Sequence, residues 1–512
     1  SQNADTAFAG SFTGSGTLAI YGPARLRLTG ATSAYSGEVR IGSGTLEINN
    51  AFSSGSGFIG TVAGEDGRVE VTGPTALWTL NGDLNVGRTG SGSLVISDGG
   101  GVNASGKVAV GSASLSLPTG EVLVTGSGSR LSTGTGGLLA IGSIAGSTLA
   151  VEDGGSVTSG TATLGQSAWT RGTATVTGAG SLWTTGAMKV GSAGATGVLT
   201  VADGGTVRAT EAFSIGTQGR LNIGAAAGET AVSAGVVDTS LVDFGTRSGK
   251  VVFNHTNPDY LFAPAITGAG SVEVYSGTTI LTGKSSYTGG TDVFGGKLVV
   301  NGVTGSVNVS SAAMLAGSGT VGNTVVSGVI APGNSIGTMN VAGDLGLGAG
   351  AVYQVEINDA GTEAGVNNDL LKVAGGATID KGANLVVLAD RSGDTGSGYD
   401  PINVYTVATA EGGVMGGFGS VTDNFAFLDS YLGYDASSVY LTLQRNDVDF
   451  VDEARTPNQK ATAAGLDSLS PDTALYRTIL GLYENEAPEI FDALSGEIHA
   501  SANTVLRDEP RQ

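Results

Sequence analysis

A repeat of about 50 residues governs what this chain can become. The segments VTGPTALWTLNGDLNVGRTGSGSLVISDGG, VTGSGSRLSTGTGGLLAIGSIAGSTLAVEDGG and VTGAGSLWTTGAMKVGSAGATGVLTVADGG begin at Val71, Val124 and Val176, 53 and 52 residues apart. Asp98, Asp153 and Asp203 head the DGG triplets. Gly87, Gly142 and Gly191 each follow an apolar residue, and Trp78 and Trp183 match, with Leu131 between them. A second apolar–glycine step at Val110–Gly111, Leu164–Gly165 and Ile215–Gly216 divides each unit into two coils. A unit this short cannot bury a core alone. Stacked on its neighbours it can.

Within each coil Val, Leu, Ile and Ala alternate with small or polar residues over short runs, and glycine or serine punctuates the ends. That is a strand pattern, three strands and three turns per coil. The expected fold is therefore all-β: a right-handed parallel β-helix, or three-stranded solenoid. A propeller blade would need four antiparallel strands per repeat, with longer apolar runs. With 88 glycines among 512 residues, helical domains are disfavoured throughout most of the chain.

The coils reappear at longer range. Phe8–Ile48 realigns on Phe262–Val300, so that Gly14 matches Gly268, Leu28 matches Leu281 and Tyr35 matches Tyr287. Leu281–Thr338 continues the glycine-punctuated pattern. Beyond Ala349 the strands lengthen, as in AVYQVEIN and SSVYLTLQR, and aromatic residues become denser. A bulkier β module of this kind suits the open end of a solenoid. Near Asp447 the composition changes again. Thr456 and Pro457 read as N-cap and first helical residue, Pro471 opens a second helix, and Ala487–Pro488 a third that is amphipathic through Ile490, Leu494, Ile498, Ala502 and Leu506. The expected division is 1–280 coils; 281–445 terminal coils and β cap; 446–512 a short α-helical linker.

A net charge of -21 disfavours nucleic-acid binding, which needs a basic face. It suits a surface exposed outside a cell. Cysteine is absent, so no disulfide framework supplies stability. No run of about 18 apolar residues is present to span a membrane as a helix.

The stretch from Tyr287 to Thr338 carries a resemblance. Tyr287-Thr-Gly289-Gly290-Thr, Gly296-Lys-Leu298, Leu315-Ala-Gly317-Ser-Gly319-Thr and Ala331-Pro332-Gly333-Asn334-Ser335-Ile336-Gly337-Thr338 resemble, in order, the passenger-associated transport repeat of autotransporter proteins (type V secretion). Asp369-Leu370-Leu371, Gly417-Phe418 and Leu441-Thr442-Leu443 resemble that family's C-terminal passenger module, and Asp492–Ser501 its approach to the translocator. The resemblance implies a passenger displayed at the Gram-negative cell surface (outer membrane) or secreted. It also implies an autochaperone region over the late coils. The implied partners are a C-terminal β-barrel translocator, expected to begin just beyond Gln512, and the barrel-assembly machinery.

Motifs that could carry chemistry are read against this background. Gly333–Gly337 fits the G-x-S-x-G nucleophile elbow, but no helix follows Ser335 and the sequence has only His255 and His499 as bases of the usual type. Gly317–Gly322 fits G-x-G-x-x-G, again with no helix behind it. The DGG aspartates recur too far apart for glycine-rich calcium repeats, and turn chemistry explains them. Glu65–Asp66 and Glu152–Asp153 are adjacent carboxylates, yet no Asp/Arg/Lys cluster recurs from coil to coil. No catalytic residue, metal ligand or cofactor is therefore expected. Trp78, Trp169 and Trp183 are the candidate ligand-stacking aromatics. The expected function is non-enzymatic: an adhesin or autoaggregation and biofilm factor acting through the face of a β-helix rod, on a host surface or a sister cell's passengers. The alternatives are a carbohydrate-processing β-helix enzyme and a passive stalk.

Overall fold

The computed structural model describes residues 4–30, 33–111, 119–134, 136–142, 146–192, 194–390, 398–401, 403–483 and 485–496. The chain divides into two compact units, residues 1–298 with 302–306, and residues 299–301 with 307–512.

The first unit is a parallel β-helix whose coils contribute to three columns of strands. One column contains Asp66–Thr72, Ser91–Ser97, Gly120–Thr125, Ser147–Glu152, Arg171–Thr177 and Thr196–Ala202, each paired in parallel with the next. A second runs through Leu77–Leu80, Gly101–Ala104 and Arg130–Ser132, and a third through Leu84–Val86, Val108–Val110 and Leu138–Ile141. In the three coils of Ser156–Leu164, Leu182–Val190 and Thr206–Ile215 the second and third columns merge into single long strands, and they part again at Val236–Asp238 and Leu241–Asp243.

The repeat is now explained. Val71, Ile96, Val124, Val151, Val176 and Val201 stand in register on successive coils, pointing inward, and all are fully buried. Val71, Val124 and Val176 are thus two coils apart. Each such side chain contributes about 1.5–3 kcal/mol of burial. The apolar–glycine steps close the third column. The amides of Gly87, Gly111, Gly142, Gly165, Gly191 and Gly216 donate to the carbonyls of Ile59, Val86, Val110, Ile141, Leu164 and Val190, at 2.7–2.9 Å. A Cβ on Gly216 would stand 1.4 Å from the Gly191 carbonyl oxygen, so no larger residue fits there.

The DGG triplets are tight turns. Asp98, Asp153 and Asp203 adopt φ of 53°, 52° and 48°, and Gly99, Gly154 and Gly204 follow at positive φ. Two successive left-handed residues, closed by Gly100 N–H to Ser97 O at 2.9 Å and its equivalents, make type I′ geometry. Asp tolerates that region better than most residues. Its oxygen finds a neighbouring hydroxyl, as Thr125 and Thr177 donate to Asp153 and Asp203 at 3.2 Å.

The second unit repeats the parallel design. Ala313–Gly317, Val329–Pro332, Val352–Ile357, Asn384–Ala389 and Ser420–Thr422 form one column, with parallel pairing in the steps from Ala313–Gly317 to Ser420–Thr422. Parallel coils thus continue well past Ala349. The last strand of another column, Val404–Ala410, is covered by an antiparallel hairpin, Leu428–Tyr434 with Ser438–Arg445. Phe427, Phe450 and Tyr476 pack together beyond it, with ring centroids 4.7 and 5.1 Å apart, and Arg445 lies over Phe427 and Phe450.

Three helices follow. Pro457–Asp467 begins with Thr456 as N-cap, and the Gln459 side chain accepts in return from the Thr456 amide. The second is Ala474–Leu480, capped by Thr473 rather than opened at Pro471. The third, Ala487–Ser495, stops earlier than its pattern suggests, because Gly496 takes φ 73° and closes it. Ile498, Ala502 and Leu506 lie outside the described residues.

Candidate functional site

On the outer face of the first column, charge is unevenly distributed. Arg25 and Arg27 bind Glu47, and Arg68 binds Glu70. The outward row then becomes uncharged through Val95, Leu123, Ala150, Thr175 and Thr200. A shallow cleft of about 290 Å³ lies over Ser93, Val95, Leu123 and Ala150, with Arg68 and Glu121 on its rim.

The three tryptophans separate sharply. Trp78 and Trp183 are fully buried on the inward side of the second column, in register with Val102 and Val157. Their indole N–H groups donate to Ser54 Oγ at 3.0 Å and Ser159 Oγ at 3.3 Å. Neither can stack on a ligand. The expectation is corrected for both: a large apolar ring with a satisfied N–H fills a coil interior. Their match to Leu131 in the repeat was the available signal. Trp169 is different. It is 98% exposed, at the tip of a corner turn, with φ 70°.

The residues of the resemblance serve as internal ties. Tyr287 is buried, with its hydroxyl on Thr291 and Thr304. Burial pushes that hydroxyl's pKa up. Gly289 donates to Gly270, Gly290 takes φ 78°, and Leu298 is fully buried. In the second unit Leu315 is buried, Gly317 takes φ 109°, and Gly319 donates to Val300 O at 2.8 Å. Pro332 ends a strand, and Gly333 turns the chain at φ 85°. Asn334 and Asn301 exchange amide hydrogen bonds at 3.1 and 3.3 Å. Ser335 donates to Asp390 Oδ2 at 2.8 Å, so a carboxylate receives this hydroxyl. His255 is buried in the first unit, with its Nε2 on Thr279, while His499 lies outside the described residues.

One residue escaped the motif reading. Asp369 is 1% exposed, and its two oxygens accept from Gly337 N–H and Glu356 N–H, both at 2.8 Å. Burial pushes its carboxyl up to about 8 against the pull of those two amides, and Glu356 and Asp390 add to the rise. Asp369 had been read only as one letter of a motif, and its partner Gly337 lies a coil away.

No protein-family model matches the chain. It is 30% identical over 245 residues to an extracellular serine protease of Serratia marcescens, 46% of this chain and 23% of that protein. It is 32% identical over 368 residues to the adhesin BmaC autotransporter of Brucella suis biovar 1 (strain 1330), 67% of this chain and 10% of that protein. The Brucella relative is named as an autotransporter. The chain spans less than a quarter of the length of either relative. The crystal structure of the Haemophilus influenzae Hap adhesin aligns with 86% of this chain and 59% of its own, at a TM-score of 0.30 and 12% identity. The relatives place the chain at the Gram-negative cell surface or in the medium. They also correct one expectation: similarity to an extracellular serine protease over nearly half the chain overturns the exclusion of enzymatic activity.

Proposed function

We propose that this chain is the β-helical passenger segment of an adhesin, holding a repetitive outer face away from the cell. Similarity to an autotransporter adhesin over two thirds of the chain carries the reading, and the stacked parallel coils within each unit support it. The mechanism is multivalent: many weak contacts along one face act at high effective concentration once the first is made. Its partners in export are a β-barrel translocator and the barrel-assembly machinery. The Tyr287–Thr338 residues act in folding, as a passenger-associated transport repeat within an autochaperone region. Cells displaying the full protein should aggregate or bind host matrix, and removal of residues 50–280 should abolish this. Undiminished adherence of the deletion strain, with equal surface display, would count against the proposal.

A second reading, favoured by the Serratia relative, makes the coils the carrier of a serine protease. Treatment of the full protein with a fluorophosphonate probe, followed by mapping of the labelled serine, separates the two. A label within residues 1–512 would assign the chemistry to this chain and displace the adhesin reading.

A further inference from the structure

Trp169 occupies a position where the fold prefers glycine. Its turn, Ser167–Thr170, is closed by Thr170 N–H to Ser167 O at 3.1 Å, and Thr170 Oγ1 also donates to Ser167 O at 2.7 Å. The corner of the next coil, Ser192–Ala195, is closed in the same way, Ala195 N–H to Ser192 O at 2.9 Å. The two corners stack: Thr196 N–H donates to Thr170 O at 2.9 Å, and a Cβ on Gly194 would lie 3.9 Å from Ala168 Cβ. In the equivalent place the second corner has Gly194 at φ 79°, whereas the first has Trp169 at φ 70°. Gly adopts that conformation without cost, and a bulky side chain does so against steric resistance. Trp169 is also almost wholly in water. Two separate costs are borne at one residue, and nothing in the turn's own packing offsets either.

The surroundings indicate what the ring meets. Ser167 and Ala168 are exposed and small, so among the described residues of its own turn the indole has no large apolar neighbour of the kind protein interfaces bury at their centre. An isolated flat ring among hydroxyl and amide groups suits the apolar face of a pyranose, with its hydroxyls directed to the polar neighbours. Charge narrows the class. Between Asp153 and Asp203 the sequence contains no Asp or Glu, only Arg171 and Lys189, although the whole chain carries -21. Arg171 follows the turn directly and is exposed, and Lys189 is exposed on the adjoining coil. An anion meets no acidic side chain from this stretch of sequence and two basic ones, Arg171 and Lys189.

We propose that Trp169 is a stacking platform for a pyranose ring of an acidic glycan, with Arg171 favouring the anionic group. The proposal rests on the adhesin reading and names the chemistry of one of its contacts.

Intrinsic fluorescence tests it directly, because Trp78 and Trp183 are buried and acrylamide reaches Trp169 first. The full chain is titrated with oligogalacturonate, with maltohexaose as a neutral comparison and polyglutamate as an anion without sugar rings. Oligogalacturonate is expected to shield Trp169 from acrylamide, and neither comparison should match it. By isothermal titration calorimetry, which needs no indole reporter, Trp169→Ala should weaken binding about tenfold or more, the scale of one lost aromatic stack. Arg171→Gln should weaken it less, and in a salt-dependent manner. Trp169→Gly should lose binding equally while raising the melting temperature by about 1–2 °C. That opposite movement separates a contact residue from a structural one. Equal shielding by polyglutamate or by maltohexaose, or none by oligogalacturonate, would overturn the assignment. Cells that still adhere through the coils in that case leave the adhesin reading standing.

Discussion

Val176→Asp is expected to break the coil stack around residues 147–202 and to cost more than about 4 kcal/mol, while Thr175→Asp beside it costs less than about 1. The two positions differ only in the face they occupy. Val176 is fully buried, with Val151 and Val201 in register on either side, whereas Thr175 points outward and is half-buried. A carboxylate at 176 would find no donor, since its neighbours above and below are aliphatic. It must be buried charged, protonated at a cost, or expelled with its strand. Coils contact mainly their neighbours, so damage should be local, and protease cuts should concentrate near the substitution. Thermal melts followed by circular dichroism, with limited proteolysis, read both effects. Indistinguishable melts for the two variants would mean that the inward column is not the core described.

The coil architecture was legible because its constraints recur. A residue that must point inward, such as Val71, Val124 or Val176, returns at every second coil with the same character, and a corner that admits only glycine, such as Gly191 or Gly216, returns likewise. The longer-range alignment is sound for the same reason: Gly14 and Gly268 take φ of 95° and 93°, and Leu28 and Leu281 are both buried. Helix starts were legible where a cap is local, as at Thr456. The second start was misplaced because Pro471 suits a turn as well as a first helical residue, and only the Thr473 hydroxyl bonded to Tyr476 N–H decides between them.

Candidate contacts were harder to read, because exposure is a property of the coil rather than of the residue. Trp78 and Trp183 lie within the repeat, aligned with Leu131, and that alignment already marks an inward position. Trp169 falls outside the aligned segments of the repeat, in a corner whose length varies from coil to coil. Whether a corner projects its side chain depends on the turn type, here set by the hydrogen bonds of Ser167 and Thr170, and those become visible only in three dimensions.

Asp369→Ala is expected to destabilise the second unit by roughly 1–3 kcal/mol, because it leaves two N–H groups of half-buried residues without their acceptor. The two amides concerned belong to Gly337, in the turn before Thr338–Val341, and to Glu356, in the strand Val352–Ile357. One carboxyl therefore ties a turn of one coil to a strand of the next. Its titration adds a signature. Burial first, with Glu356 and Asp390 adding to it, raises the folded-state pKa to about 8, from an ordinary value of 3.8. Between those values the folded protein retains a proton that the unfolded chain has released. Stability from this group is therefore fully present below about pH 4, declines as pH rises, and is gone above about pH 8. Asp369→Asn retains one acceptor, sets an amide NH₂ against the other N–H, and cannot titrate. It should cost less than the alanine variant and should flatten the fall in stability between pH 5 and 8 relative to the parent. Denaturant melts at several pH values, following the second unit, measure the difference. Parallel pH profiles for the parent and Asp369→Asn would refute the assignment of this titration to Asp369. If the region acts in folding, refolding should slow in the alanine variant along with the loss of stability, because the turn it secures carries the residues Gly333 to Gly337 that resemble the export signature.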